Sequence, residues 1–413
     1  MKILLSAYAC EPNKGSEPGV GWNWALALVR RGHEVWVITR ANNQSSIDQA
    51  LASLGEPYTS KLHFLYYDLP SWATWWKKGR RGVHLYYLLW QWGAYQLAKK
   101  VHKGHVFDLV HHSTFVSVRQ PSFMGNLRIP FIFGPVAGGE SIPKQMRKEL
   151  SWQNKLKELA RDLANKLVQF DPMMLRTFSQ ASRIYVTSFE SLSLIPNKYK
   201  HKTRVQLAIA IDETVTNEEV QHNQNNQIFR VLYIGHFIYL KGMHLGLAAF
   251  ALFLNKYPNA QLTMVGHGAE GDSWKDLANQ LGINQAQLIW QSWLPQNELG
   301  TLYQSHDVFF FPSLRDSGGM VVLEAMANGL PVVCLKLGGP GVLVDSSCGE
   351  AIDVKGLSQQ VVIMQLADAL IRLADNPDLM RCLRKGAKSR SAASSWDANV
   401  EKIYAAFENL SDK

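Results

Sequence analysis

The segment at residues 308–333 constrains the fold of this chain more than any other. The apolar run Val308–Phe311 predicts a buried strand, and a proline directly behind it ends that strand. A helix then opens on Gly318 and Gly319 and ends about three turns later at Gly329. The apolar run "PVV" follows and predicts a second strand. A strand, a loop, a helix and a second strand in this order are typical of an open α/β sheet.

The start and the middle of this helix also indicate a binding site. Paired glycines at a helix start expose backbone N–H groups, which attract anions, and Asp316 or Ser317 can cap the same helix. Glu324 is the one acid in the apolar stretch "MVVLEAMA". At about 1.5 Å per residue, it lies roughly 9 Å past the helix start. That separation suits a ribose whose diphosphate is bound at the N-terminus.

Asp316 and Glu324 lie eight residues apart, and they resemble the acid-x7-acid motif of retaining GT-B glycosyltransferases, glycosyltransferase family 4 (group 1). In that family the first acid holds the transferred sugar, the second holds the ribose, and the amides between them hold the diphosphate. The resemblance implies donor binding by Asp316, Ser317, Gly318, Gly319, Met320, Val321 and Glu324. The usual first acid is glutamate, and Asp316 is one methylene shorter. A plain N-cap and a salt-bridged helix acid remain the alternative interpretations.

The rest of the chain repeats the same alternation of strands and helices. "KILLSAYA", a glycine-containing loop, the helical stretch "GVGWNWALALVRRG" and "HEVWVITR" form an opening βαβ unit. The polar stretch at residues 212–227 predicts a linker or surface loop, after which the alternation restarts. The chain has 413 residues, which favours two domains. We therefore predict an α/β protein with two doubly wound, Rossmann-like domains.

The resemblance assigns roles to these domains. It implies that residues 1–210, together with a C-terminal helix at 397–413 that returns to them, form the acceptor-side domain. Residues 211–396 then form the domain that binds the nucleotide-sugar donor. In the GT-B architecture the two domains face each other across a cleft.

Several further loops gain a role only through this resemblance. The loop after the first strand contains Gly19. By itself this glycine indicates no more than a tight turn, but the resemblance implies that it contacts the donor diphosphate. "GHFIYLKG" resembles the family's Gly-Arg-x4-Lys-Gly loop, in which Lys241 matches the lysine and His236 replaces the arginine. A lysine at that place neutralises a leaving phosphate. The alternatives are a solvated loop lysine and a neutral loop histidine.

The remaining site residues follow other strands. The family often has a histidine near the reacting carbon of the sugar, and among the neighbours His111, His112 and Ser113 we assign this role to His112. A strand-end histidine bonded to backbone is the alternative. Trp293 and Leu294 match a loop whose backbone contacts the base, and Gly266 borders the same pocket. On the acceptor side the candidates are Gly138, Gly139 and Glu140.

Charge and composition limit the partners and the location. Residues 1–210 carry 28 Lys and Arg against 13 Asp and Glu, whereas the remainder carries 15 against 21. The basic half favours contact with anionic lipid or a lipid-phosphate acceptor, and no nucleic-acid-binding module is recognisable. Residues 71–103 and 144–166 are basic and helical, the first also aromatic, so they suit either a membrane interface or a core helix with a solvated face. Scattered cysteines and the lack of a spanning apolar run predict a cytoplasmic protein, with peripheral membrane contact.

The activity expected from the resemblance is retaining transfer of a hexose, with UDP-glucose as the first choice of donor. The acceptor is a saccharide or a lipid-linked saccharide, attack occurs on the front face, and polysaccharide or glycolipid synthesis is the context. Because the sequence has no Asp-x-Asp tripeptide and no His/Cys cluster with ligand spacing, we expect no metal and no other cofactor. A sucrose-type synthase or phosphorylase of the same fold, and a catalytically silent nucleotide-sugar-binding protein, remain as alternatives.

Overall fold

The computed structural model describes residues 1–77, 79, 82–211 and 228–408. The predicted linker at residues 212–227 and three positions of the basic stretch, at 78, 80 and 81, lie outside the described residues. Contacts divide the chain into two compact units. Unit 1 consists of Met1–Gly139, Asp162–Ala210 and Trp396–Lys413. Unit 2 consists of Glu140–Arg161 and Ile211–Ser395.

Unit 1 is built on a parallel sheet that has seven strands within the described residues, in the order β3-β2-β1-β4-β5-β6-β7. The strands are β1 (Lys2–Ala7), β2 (Glu34–Thr39), β3 (Leu62–Tyr66), β4 (Leu109–Thr114), β5 (Phe131–Val136), β6 (Arg183–Val186) and β7 (Thr203–Val205). The helices of this part of the chain are α1 (Ser16–Arg30), α2 (Gln44–Ser53), α3 (Tyr58–Lys61), α4 (Val83–His105), α5 (Trp152–Leu167), α6 (Pro172–Gln180) and α7 (Phe189–Leu194). The division into units falls inside α5, after Arg161.

The central strands β1 and β5 of the unit 1 sheet are buried along nearly their whole length, so both faces of the sheet are covered there. Trp24 of α1 and Trp90 of α4 are fully buried. Helix α1 ends at a glycine, Gly32, whose φ of +91° suits no other residue as well. The C-terminal helix belongs to this unit, and its Glu408 accepts hydrogen bonds from Arg31, the residue directly after α1, at 2.5 and 2.7 Å.

Unit 2 repeats the arrangement with six described strands in the order β10-β9-β8-β11-β12-β13, all parallel. The strands are β8 (Arg230–Ile234), β9 (Gln261–Val265), β10 (Leu288–Gln291), β11 (Val308–Phe311), β12 (Val332–Leu335) and β13 (Gly349–Ile352). The helices are α8 (Met243–Leu254), α9 (Gly271–Gln280), α10 (Gln296–Gln304), α11 (Met320–Ala327), α12 (Pro340–Leu343), α13 (Gln359–Asp375) and α14 (Pro377–Ala392), and α15 (Trp396–Glu408) completes unit 1.

Contacts group residues 140–161 with unit 2 although they precede the predicted boundary at residue 210. The Tyr239 hydroxyl donates to the Met146 carbonyl at 2.7 Å. Arg315 donates to the Glu158 carboxylate at 2.6 Å. Glu158 is buried, so this ion pair attaches the first turns of α5 to the loop that follows β11.

The strand orders confirm the predicted fold class, an α/β protein with two doubly wound parallel sheets. In each sheet the order reverses where the first strand of the unit meets the fourth, at β1 beside β4 and at β8 beside β11. Ligands of such sheets bind at the carboxyl ends of the strands next to that reversal. The loops after β8 and β11 are therefore the first places to look for a site in unit 2. Across the part of the chain that the structure describes, no helix is both long enough and apolar enough to cross a bilayer.

Candidate functional site

The loop after β11 is shaped by glycines that let neighbouring backbones approach closely. A Cβ atom on Gly338 would lie 1.9 Å from the Asp316 carbonyl, and one on Gly339 would lie 2.2 Å from the Gly318 carbonyl. The Gly339 N–H donates to the Asp316 carbonyl at 2.8 Å. Gly319, with a φ of +80°, turns the chain into α11. Gly338 and Gly339 thus pack directly against the backbone of this loop, a contact that the sequence did not indicate.

Asp316 is the centre of the loop. Its Oδ1 accepts hydrogen bonds from the N–H groups of Gly318 and Gly319, both at 3.0 Å, as an N-cap does. Its Oδ2 accepts from the Lys241 ammonium at 2.6 Å. The two side chains are only 17% and 16% exposed, so the pair is largely removed from water. The structure therefore brings together the acid and the lysine that the sequence analysis predicted for one site.

The loop after β8 explains how Lys241 reaches Asp316. Gly242, with a φ of +69°, lies so close to the next loop that a Cβ would meet the Pro312 carbonyl at 2.0 Å. The Leu314 N–H donates to the Leu240 carbonyl at 2.9 Å, which joins the two loops backbone to backbone. Lys241 is consequently placed by main-chain geometry and not by its flexible side chain alone.

The start of α11 offers backbone donors. Gly318 and Gly319 already donate to Asp316, whereas the N–H groups of Met320 and Val321 donate to nothing within the described residues. N–H groups in the first turn of a helix have no partner inside it and carry the positive end of the helix dipole. With the Lys241 ammonium nearby, this end of α11 is a suitable place for an anion. Ser317, the other predicted cap, is half-buried in the same loop.

Glu324 lies one turn further along α11. The Tyr303 hydroxyl donates to its Oε2 at 3.1 Å, and Tyr303 itself is buried. Burial raises the pKa of Glu324 above its usual value, and the hydrogen bond from Tyr303 opposes that rise. Burial, followed by the Glu324 carboxylate, raises the pKa of Tyr303 well above its usual range. Glu324 is thus a half-buried acceptor on the helix whose N-terminus can bind an anion.

Three rings meet beyond the ends of β8, β9 and β10. The His236 and Trp293 rings stack with centroids 5.8 Å apart, and the His267 ring meets the His236 ring edge-on at 5.7 Å. All three residues are exposed, and Trp293 is 51% exposed. Gly266 has a φ of +142°, and a Cβ there would meet the Gly235 carbonyl at 2.0 Å, so glycine is needed for this packing.

His267 was not among the predicted site residues, although its place between two glycines of a strand-end loop could have indicated it. The structure places His236 in this ring cluster and not in contact with Asp316. Leu294 lies half-buried behind the same strand end. The predicted contacts of Trp293 and Leu294 with a base stay predictions.

In unit 1, the structure places both candidate histidines in the core. His112 is 1% exposed, and its Nε2 hydrogen-bonds with the Tyr87 hydroxyl at 2.7 Å and with Gln91 at 2.9 Å. Burial, assisted by the neighbouring His111, lowers the pKa of His112 to about 3. Burial likewise lowers the pKa of His111 to about 4, and this ring is bonded to the Tyr404 hydroxyl and the Gly134 carbonyl. Both rings are therefore neutral, enclosed side chains, and a sugar contact by His112 stays a prediction.

The first turn of α1 packs tightly against the loop that precedes it. A Cβ on Gly19 would lie 2.0 Å from the Lys14 carbonyl, so the position requires glycine for packing alone. The Glu17 carboxylate accepts a hydrogen bond from the Phe115 N–H. Burial raises the pKa of Glu17, against the effect of that hydrogen bond. Glu17 thus ties the first turn of α1 to the loop after β4, a role that the sequence did not indicate.

The predicted acceptor-side residues are engaged in structural contacts. The Gly138 carbonyl accepts from Arg119 at 2.6 Å, and the Gly139 N–H donates to the Ser191 hydroxyl at 3.1 Å. Glu140 is 5% exposed and is assigned to unit 2. Their roles toward an acceptor stay predictions. Among the residues that the structure describes, no three His, Cys, Asp or Glu side chains come together as metal ligands would.

Comparison with known proteins identifies the domain that carries the Asp316, Lys241 and Glu324 geometry. Residues 214–390 match the family model for glycosyl transferases group 1. The chain carries a group 1 glycosyltransferase domain. The resemblance to group 1 glycosyltransferases is thereby confirmed over this range. The glycosyltransferase domain contains every donor-side residue named above except Gly19.

One relative is the D-inositol 3-phosphate glycosyltransferase of Corynebacterium jeikeium (strain K411), with 33% identity over 186 residues. The match spans 43% of this chain and 43% of that protein, so less than half of either is compared.

Solved structures resemble the whole chain. A sucrose-phosphate synthase from Thermosynechococcus elongatus has a TM-score of 0.62 at 18% identity and covers 100% of this chain and 99% of its own. Anabaena HepE, in complex with UDP and glucose, has a TM-score of 0.54 at 17% identity and covers 100% of both chains. At such identities the likeness shows the fold alone, which is that of GT-B glycosyltransferases.

Proposed function

We propose that this protein transfers a hexose, with retention of configuration, from UDP-glucose or a similar UDP-hexose to a saccharide or lipid-linked saccharide. One observation carries the proposal. An ammonium (Lys241), a carboxylate (Asp316) and the N–H groups of a helix start lie together, and Glu324 follows one turn along the same helix. These groups match the parts of a nucleotide-diphosphate sugar in order: phosphates at the helix start and ribose further along it.

The diphosphate is the most demanding part of this ligand, because two negative charges must be stabilised. The Met320 and Val321 N–H groups and the helix dipole offer partial positive charge, and Lys241 offers a full one. An entering phosphate competes with Asp316 for the Lys241 ammonium, which is now bonded to Oδ2 at 2.6 Å. The competition frees one oxygen of Asp316 to accept a hydroxyl of the transferred sugar.

The same groups also favour departure of the diphosphate. Negative charge grows on the leaving phosphate as the bond to the sugar breaks, and preorganised donors stabilise that charge without rearranging. Lysine and backbone amides supply here the positive charge that other transferases obtain from a metal ion, so we propose a metal-independent reaction. Glu324 accepts the two ribose hydroxyls and holds the nucleotide in place during this step.

Retention follows if the acceptor attacks from the face that the diphosphate leaves. The leaving phosphate then accepts the acceptor's proton, and the acceptor oxygen bonds to the sugar carbon as the phosphate bond breaks. Asp316 takes no covalent part in this proposal, because its Oδ1 stays bonded to the Gly318 and Gly319 amides and its Oδ2 accepts a hydroxyl of the sugar. We assign acceptor contacts to Gly138, Gly139 and Glu140. Gly19 is assigned to the donor diphosphate, and His112 to the transferred sugar near its reacting carbon.

The test is to incubate the purified protein with UDP-glucose and a panel of soluble and lipid-linked saccharides. We expect UDP release that depends on an acceptor and an α-linked product, read from the anomeric coupling in the proton NMR spectrum. A β-linked product would contradict retention. Transfer to a small free sugar alone would favour the synthase alternative, and binding of UDP-glucose without any turnover would favour a silent binding protein.

A further inference from the structure

Helix α5 (Trp152–Leu167) presents an apolar face to the surface of the molecule. The side chains on this face are largely exposed: Trp152 at 73%, Leu156, Leu159 and Leu163 at 59% each, and Leu167 at 54%. Their spacings of three and four residues place them on one side of the helix. We call this face the α5 stripe. Single exposed leucines are ordinary, but a continuous stripe of this kind marks a surface that is covered by a partner.

The side of α5 that faces the protein is polar. Glu158 is 6% exposed and Asn165 is 4% exposed. Within unit 2, Glu158 accepts from Arg315 at 2.6 Å. Within unit 1, Asn165 accepts from Arg119 and donates to the Gly139 carbonyl at 3.3 Å. The helix is therefore held by polar contacts while its leucines point away, which reverses the usual arrangement of a surface helix.

The borders of the stripe are basic. At about 100° per residue, Lys155 and Lys166 border one edge of the stripe and Lys157 lies beyond the other. All three lysines are exposed, whereas the helix acids Glu158 and Asp162 are buried and half-buried. An apolar face with a tryptophan at one end and lysines at its edges is typical of helices that lie in the headgroup region of a membrane.

The aromatic region at residues 71–103 is the other surface that the sequence suggested for this role. Its helix α4 buries Tyr87, Trp90 and Tyr95 in the core of unit 1, and Leu85 and Leu89 are exposed at 53% and 41%. Most aromatic residues of α4 thus lie in the core, although Trp92 on the same helix is 50% exposed. Trp72 and Trp75, which precede α4, are 78% and 79% exposed. None of the large apolar residues of α5, in contrast, is buried in the core.

We propose that the α5 stripe docks on a bilayer that contains anionic lipid, with its leucines among the acyl chains and its lysines at the headgroups. A second copy of the chain is the less suitable occupant, because pairing two stripes would bring like-charged lysine borders together. The proposal does not depend on the transfer reaction, since neither the stripe nor its lysines belong to the donor site.

The test compares binding of the full chain to vesicles of phosphatidylcholine with and without phosphatidylglycerol, by sedimentation at low and high salt. The variant L156Q/L159Q removes two leucines of the stripe, and the matched control L85Q/L89Q removes two leucines of similar exposure from α4. Since all four side chains are exposed, both variants should fold, and circular dichroism with thermal melting checks this.

We expect binding to the anionic vesicles that salt weakens and that L156Q/L159Q lowers by at least about tenfold, as burial of two half-exposed leucines implies. L85Q/L89Q should bind as the unaltered protein does, and K155Q/K166Q should lower binding to anionic vesicles several-fold. Equal binding of L156Q/L159Q and the unaltered protein would overturn the proposal, as would no binding to anionic vesicles. A concentration-dependent dimer that only L156Q/L159Q abolishes would also overturn it, because a second copy would then cover the stripe.

Discussion

Replacing Glu324 by glutamine separates the binding role of this residue from its structural one. The substitution keeps the size of the side chain and keeps an oxygen that can accept the hydrogen bond from Tyr303, now 3.1 Å long. It removes the negative charge that, in our proposal, accepts two ribose hydroxyls. Glu324→Ala, in contrast, also leaves the buried Tyr303 hydroxyl without this acceptor.

The expected magnitudes differ for ligand binding and for folding. A hydrogen bond to a charged acceptor contributes about 1.5–3 kcal/mol and one to a neutral acceptor about 0.5–1.5 kcal/mol. Exchanging two charged bonds for neutral ones therefore costs about 2–3 kcal/mol, so Glu324→Gln should weaken UDP binding by roughly 30-fold to 150-fold. Burial raises the pKa of Glu324, so its ionised form costs stability once the pH exceeds that raised value. Glutamine removes this cost, so the unliganded variant should be at least as stable as the unaltered protein at neutral pH. Glu324→Ala should lose about 1–3 kcal/mol of stability.

Isothermal titration calorimetry with UDP and urea denaturation without ligand measure these two effects. For the unaltered protein, UDP affinity should be highest above the pKa of Glu324 and should fall as the pH is lowered through it. The stability difference between Glu324→Gln and the unaltered protein should shrink over the same range. Unchanged UDP affinity in Glu324→Gln, with the fold intact, would refute the ribose assignment.

Three further predictions concern the other parts of the donor site. Lys241→Met should lower UDP affinity by about tenfold or more and reduce its dependence on salt, because the ammonium beside Asp316 is lost; calorimetry at two salt concentrations decides this. Gly319→Ala should cost about 1 kcal/mol or more in urea denaturation, since this position has a φ of +80° and a Cβ would lie 3.2 Å from Pro340. Transfer activity should persist in excess EDTA, and activity that is lost in EDTA and restored by manganese would contradict the metal-independent reaction.

Much of the fold was predictable because the central strands of both sheets are buried on two faces. Such strands are short apolar runs between turn residues, and Val308–Phe311 is an example whose members are all fully buried. The same property places the two candidate histidines in the core of unit 1, and the sugar contact assigned to His112 stays a prediction. Alternation along β4 sends His111 and His112 to opposite sides of the sheet, but both sides are covered, so neither ring reaches the surface.

The loop after β11 was predictable from local chemistry, but the backbone contacts that hold it in place were not. Asp316, Gly319 and Glu324 are close in sequence, and a helix start imposes their arrangement. Gly338 packs against the Asp316 backbone from a separate loop. No local sequence pattern predicts a contact between two loops. The orientation of α5 was equally hidden, because an amphipathic pattern identifies two faces without telling which of them points inward.

A crystal structure of the chain with bound UDP tests the central claim most directly. The account predicts the diphosphate at the start of α11, within hydrogen-bonding distance of the Met320 and Val321 N–H groups and of the Lys241 ammonium. It also predicts the ribose hydroxyls at the Glu324 carboxylate. A nucleotide bound elsewhere, or one bound here with Lys241 still paired to Asp316 and no contact to Glu324, would contradict the account.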